Sequence, residues 1–193
     1  WLLCARLRRA MVVLGREPLA GLLAVDGTTL PCLIKDEPAV VKPGRSDEGK
    51  LLVAGAVEIK GTAPGRARLA VIEDYSAATL GGFVAASVAT GSTVVSDGWS
   101  GYARLKDVKH DTKIVGLMAA HVVLPWVHRV FANAKRWALG VYHGLRAKHL
   151  QRYLDEFVFR FNRRRTPAAA FPRLLGLSLT LQPATYKMLI GRS

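Results

Sequence analysis

The chain has 193 residues, which suits one domain or one domain with an appendage, and half of them are hydrophobic, enough to bury a core. A net charge of +14 points to a polyanionic partner, nucleic acid before anionic membrane, with a merely solubilising surface as the plain alternative. Its two cysteines, Cys4 and Cys32, have no Cys-x-x-Cys spacing, which excludes a zinc knuckle and suits a reducing cytoplasm.

In chain order, residues 1–12 read as a helix with Arg6, Arg8 and Arg9 on its exposed side. Basic residues follow the apolar ones there, so the segment is not a signal peptide. Leu22 to Leu30 alternates and ends at Pro31, as a strand does. Residues 35–49, rich in Pro, Gly and charge, read as a loop. Lys50 to Lys60 predicts a second strand, Gly61 to Gly65 a turn and Arg66 to Ile72 a third strand. Ser76 can cap a helix running to about Ala89. The uncharged stretch from Tyr75 to Ser96 is long enough to span a membrane, but Gly81, Gly82 and Thr90-Gly91-Ser92 divide it into helix, turn and buried strand, and a soluble protein is expected. Ser92 to Val95 is that fourth strand. A short helix is expected over 99–107 and a fifth strand over Thr112 to Val115. Two amphipathic helices follow. Leu124 to Leu139 places Val127, Val130, Phe131, Ala134 and Ala138 on one face, and Lys148 to Asn162 does so with Leu150, Tyr153, Leu154, Phe157 and Phe161. After residue 175 the pattern fades into a tail.

Three consecutive strands with short links make an antiparallel meander, and two more reached through helices can lie parallel. The expected fold is α/β, a mixed sheet covered by helices.

Asp26 follows Leu22-Leu23-Ala24-Val25 in the first strand, and Asp97 follows Val94-Val95-Ser96 at the end of the fourth. Carboxylates at strand ends stand on the sheet rim. Two on adjacent strands can hold magnesium, a hard cation that prefers oxygen, for work on a phosphodiester. The plain alternatives are an Asp-Gly turn at Asp97-Gly98 and a loop start at Asp26.

Two segments carry a resemblance. One is Val95-Ser96-Asp97-Gly98-Trp99-Ser100-Gly101-Tyr102. The other is Gly140-Val141-Tyr142-His143-Gly144 with Lys148 to Arg164 (KHLQRYLDEFVFRFNRR). Val25-Asp26-Gly27-Thr28, Gly44-Arg45-Ser46 and Gly49 to Glu58 support them. Over about residues 5–175 the chain resembles the ISXO2-like, or IS1595, insertion-sequence transposases. The resemblance implies a ribonuclease-H-like mixed five-stranded sheet flanked by helices. It further implies metal-dependent cleavage and strand transfer of DNA with Mg2+ (or Mn2+), at two aspartates and a third acidic or amide residue. Asp26 matches the first aspartate and Asp97 the second.

The third position falls on the helix beginning near Leu124, where the chain departs from the pattern, since no Asp or Glu occurs between Asp111 and Asp155. Counting back from Lys135-Arg136-Trp137 reaches His128, and Asn133 is a second candidate. An imidazole can bind a divalent metal but suits magnesium less well than a carboxylate; a packed or surface histidine is the plain reading. Glu156 reads as a partner of nearby arginines. Gly27 stands where the family usually has an acidic residue. Residues 1–20 are expected to be the remnant of an amino-terminal DNA-recognition region, 21–176 the catalytic domain and 177–193 a tail.

The expected partners are insertion-sequence ends and target DNA, bound by a homo-oligomer in a bacterial, nucleoid-associated cytoplasmic setting, with no membrane. Lys135, Arg136, Arg163 and Arg164 are the expected phosphate contacts, although the Arg163-Arg164-Arg165 run equally suits a helix carboxyl end. Trp99 and Tyr102, next to Asp97, either stack on a distorted base or pack in the core. The alternative function is a catalytically inactive remnant that binds DNA without cutting it. A basic membrane-surface or RNA-binding module lacks its amphipathic helix or recognition motif here.

Overall fold

The molecule is seen in a computed structural model that describes residues 2–12, 16–32, 50–103, 105–113, 123–142 and 144–182, with 185, 186 and 188. Strand β1 (Leu22–Pro31) lies at the centre of a five-stranded sheet. On one side it pairs antiparallel with β2 (Lys50–Lys60), which pairs antiparallel with β3 (Ala63–Ile72). On the other side it pairs parallel with β4 (Thr93–Ser96), which pairs parallel with β5 (Lys109–Thr112). The spatial order is β3-β2-β1-β4-β5. This is a mixed α/β sheet, compatible with the ribonuclease-H-like arrangement.

Successive strand residues face opposite sides, and each face buries a different helix layer. Ala24, Val53, Val57, Leu69 and Val95 pack against α3 (Pro125–Val141) and α4 (Leu150–Asn162). Leu23, Val25, Ala54, Ala56 and Val94 pack against α2 (Ala77–Ser87). The cap expected at Ser76 is present, its hydroxyl accepting from the Thr79 amide at 3.3 Å. α3 approaches the sheet closely because Gly55 has no side chain: a Cβ there would come 2.5 Å from Phe131 Cε1. Truncating a buried phenylalanine such as Phe131 would cost about 3–5 kcal/mol.

The outer edge of β3 is covered by side chains of α4. Asn162 accepts from the Ala67 amide at 2.7 Å and donates to its carbonyl at 3.1 Å. Gln151 accepts from the Val71 amide at 2.8 Å and donates to the Leu69 carbonyl at 3.3 Å. The two amides take the place of a sixth strand and protect an otherwise open edge. The motif from Lys148 to Arg164 thus docks a helix on the sheet.

α1 (Leu2–Met11) is tied to α4 through Glu156, which meets Arg8 Nε at 2.6 Å, Arg160 Nη1 at 3.6 Å and the donating Tyr142 hydroxyl at 2.9 Å. Glu156 is therefore the arginine partner expected of it. On β2, Glu58 is buried and accepts from the Arg66 side chain at 2.7 Å and from the Ala20 and Arg66 amides. Burial pushes its carboxyl up, but these hydrogen bonds prevail and hold it below its ordinary range.

Three boundaries differ from the sequence expectation. β3 begins at Ala63 instead of Arg66, because a tight turn at Gly61 (φ +59°) lets Ala63 and Pro64 pair with Lys60 and Ile59. The helix expected over 99–107 is a three-residue 3-10 turn, Ser100–Tyr102. The fifth strand is Lys109–Thr112, a polar edge segment that the apolar pattern displaced toward Ile114 and Val115, which lie outside the described residues. The loop expected over 35–49 is likewise outside them. The fading pattern after 175 still contains helix, since α5 spans Ala170–Leu179. Among the described residues, no helix is long and apolar enough to cross a membrane.

Candidate active site

The parallel register of β1 and β4 decides where the two aspartates meet. Leu22 aligns with Thr93, Leu23 with Val94 and Ala24 with Val95. Carried two residues further, it brings Asp26, in the middle of β1, beside Asp97, just past the carboxyl end of β4. Both have the parity of Ala24 and Val95, so both lie on the sheet face that α3 covers.

Asp26 is buried, and its Oδ1 accepts from the Gly27 amide at 2.7 Å. Burial and the negative charge of Asp97 push its carboxyl up to about 6, although the Gly27 amide opposes them. Asp97 is half-buried and accepts from the Trp99 amide at 3.1 Å. Its loop turns at Gly98 (φ +84°), where a Cβ would also lie 3.0 Å from Thr112 Cγ2. Asp97 thus follows the last residue of β4 and precedes a glycine in the left-handed region.

His128, on the first turn of α3, brings Nε2 to 3.2 Å from Asp26 Oδ2. Asn133 goes elsewhere. A helix turns ~100° per residue, so Asn133 lies about 140° around α3 from His128. It lines a cleft between α3 and α4 with Arg136, Trp137, Phe157, Arg160 and Phe161. Lys135, two turns beyond His128, returns to the His128 flank. It is half-buried, and burial and the nearby Lys50 lower its pKa. Lys135 and Arg136, neighbours in sequence, thus serve different surfaces. Lys50 was not singled out from sequence; its position opposite Pro31 at the end of β1 appears only through strand pairing.

Arg163 donates to the Phe159 carbonyl at 3.2 Å and lies over the Phe159 ring. Arg164 donates to the Phe161 carbonyl at 2.8 Å and to the Gly65 and Pro64 carbonyls, fastening the end of α4 to β3. Both carry out the helix-end role. Trp99 and Tyr102 part company. Tyr102 is 2% exposed in the core, whereas Trp99 is 55% exposed beside Asp97, its indole donating to the Tyr75 carbonyl at 3.1 Å.

Gly27 has a structural reason. A Cβ there would stand 2.4 Å from Tyr75 Cε1, and the Tyr75 hydroxyl donates to the Thr28 carbonyl at 3.0 Å. The Tyr75 ring takes the room a side chain at position 27 would need.

Two adjacent carboxylates, one of them desolvated and raised by the other's charge, form a donor pair that suits one hard divalent cation with water in its remaining positions. Among the described residues, no group of three or more His, Cys, Asp or Glu side chains converges as a metal cage. The carboxylate pair fits such a cation, and His128 stands beside it in contact with Asp26.

No curated protein matches the chain. A family model described as ISXO2-like transposase domain matches residues 18–162, a span that opens just before β1, takes in both aspartates and His128, and closes on Asn162, the residue that fastens α4 to the sheet. The chain belongs to the ISXO2-like transposase family.

Proposed function

We propose that this domain cuts DNA at the ends of an insertion sequence and joins them to target DNA, with Asp26 and Asp97 holding Mg2+ or Mn2+ and His128 completing the set. The observation that carries the reading is the register that brings Asp26 and Asp97 together on the face where His128 lies. The cation would activate an attacking water or hydroxyl and stabilise the leaving oxygen of the phosphodiester.

The chain's own groups do the rest. Asp26 and Asp97 supply negative oxygen donors, and the raised Asp26 carboxyl ionises fully only above about pH 6. His128 brings Nε2 to 3.2 Å from Asp26 Oδ2, within reach of a cation held by the carboxylates. Lys135, on the same helix flank, draws a scissile-strand phosphate toward the carboxylates. Its pKa is lowered chiefly by burial and further by the nearby Lys50. Arg136 contributes to the outer basic surface. Family membership supports DNA as partner, with a homo-oligomer assembled on the two element ends.

The test is a nicking and strand-transfer assay on the element's terminal sequence with magnesium and then manganese, beside an Asp26→Ala/Asp97→Ala control. Metal-dependent joining that vanishes in the control supports the reading. Salt-sensitive DNA binding without cleavage in either metal refutes it and leaves a DNA-binding remnant.

A further inference from the structure

Residues of α3 and α4 on the flank turned away from His128 line an open cleft of about 360 Å³, formed by Asn133, Arg136, Trp137, Phe157, Arg160 and Phe161. We propose that this cleft binds one unpaired base of a DNA strand, stacked on its aromatic wall with the flanking phosphates against Arg136 and Arg160. The inference rests on the reading of DNA as partner and adds a second point of contact to it.

The wall is built for a flat ring. Phe157 and Phe161 stack at 5.9 Å with planes 24° apart, and Trp137 tilts against Phe157 at 5.7 Å. The Arg164 guanidinium lies 4.0 Å from the Phe161 ring centroid and covers one face of that ring, leaving its cleft-facing side for a base. Rigid aromatic faces bind bases of any identity, because every base has a π-face. The volume is at the small end of ligand sites and fits one heterocycle better than a duplex or a peptide helix. Exposed Asn133 at the rim offers both a donor and an acceptor to a base edge.

Charge selects the same occupant. Between Arg129 and Arg173 there are eleven Lys and Arg residues against two acids, Asp155 and Glu156. Both acids are already engaged, Asp155 with Arg16 at 3.1 Å and Glu156 with Arg8 and Arg160. A base still paired within a duplex cannot enter a cleft between two helices, so the occupant is unstacked or single-stranded.

The experiment uses the full chain and three probes at one salt concentration: a perfect duplex, the same duplex with one 2-aminopurine left unpaired, and that duplex with an abasic site in its place. Wild type should bind the unpaired-base duplex about tenfold more tightly than the other two, with a change in 2-aminopurine fluorescence on binding. Phe161→Ala should lose that preference and the fluorescence change, with affinity for the perfect duplex unchanged. Asn133→Leu, an exposed change that fills the cleft and spares the core, should do the same and stands in if Phe161→Ala unfolds. Equal binding of all three probes, or an abasic duplex bound as well as the base-containing one, would overturn the proposal while leaving DNA as the partner. Failure to bind any of the three would overturn both readings.

Discussion

His128 Nε2 lies 3.2 Å from Asp26 Oδ2, so the third position of the candidate site touches the first even though it carries no carboxylate. An imidazole is a weaker ligand than a carboxylate for a hard cation. His128→Glu should therefore tighten magnesium binding, seen as a larger magnesium-induced rise in melting temperature, whereas His128→Ala should reduce strand transfer. An unchanged magnesium response in His128→Glu would remove His128 from the metal set.

The raised Asp26 carboxyl makes a prediction about pH. Its folded value of about 6 exceeds the ordinary 3.8, so the native state favours the protonated form. That contribution is complete below pH 3.8 and is lost as pH rises through about 6. The loss amounts to at most about 3 kcal/mol. Asp26→Asn should consequently raise the melting temperature of the metal-free protein at pH 8 and leave it little changed near pH 4. Magnesium should stabilise the wild type above pH 6 and not below pH 4, and should do nothing for the variant. A lower melting temperature for Asp26→Asn at pH 8 would contradict the assigned burial cost.

Asp97→Asn separates chemistry from binding. It removes a donor for the cation and a charge next to Asp26, so strand transfer should vanish while DNA affinity is retained. The Asp26 carboxyl should also titrate lower, measurable by NMR. Equal loss of binding and joining would mean that Asp97 has a structural role instead.

Gly27 and Tyr75 should behave as a coupled pair. Gly27→Ala forces Tyr75 to shift from a 2.4 Å clash and should cost about 1–3 kcal/mol by denaturant melting. In a Tyr75→Ser background the same change should cost much less, because the ring that blocks it is gone. Additive losses would show that the two do not compete for space.

The edge clamp predicts a local effect. Asn162→Ala leaves the buried Ala67 amide without its partner, while the Ala67 carbonyl keeps only the Arg68 side chain at 3.3 Å, and should cost about 1–3 kcal/mol. Hydrogen exchange at Ala67 should quicken more than at Val71, which Gln151 still covers. Uniform quickening across the sheet would mean that the clamp contributes only to global stability.

Much of the architecture follows from local pattern. Alternation marked β1 and β2 with nearly the observed ends, Ser76 marked the start of α2, and the threefold and fourfold spacing of apolar residues marked the buried faces of α3 and α4. The bounds of β5 were displaced toward Ile114 and Val115 because an edge strand with polar residues has no apolar alternation to display. Asp26 and Asp97 could be found from sequence because a carboxylate ending an apolar run carries its own signal. That they meet depended on the parallel register of β1 and β4, a pairing between segments about seventy residues apart that no local window contains. Tertiary structure likewise divided the candidates on α3, placing His128 against Asp26 and turning Asn133 to the opposite flank. The sequence alone determined which residue types were present and with what period. Only packing of α3 and α4 on the sheet decided which of them face one another, because a helix presents every flank until a neighbour buries one.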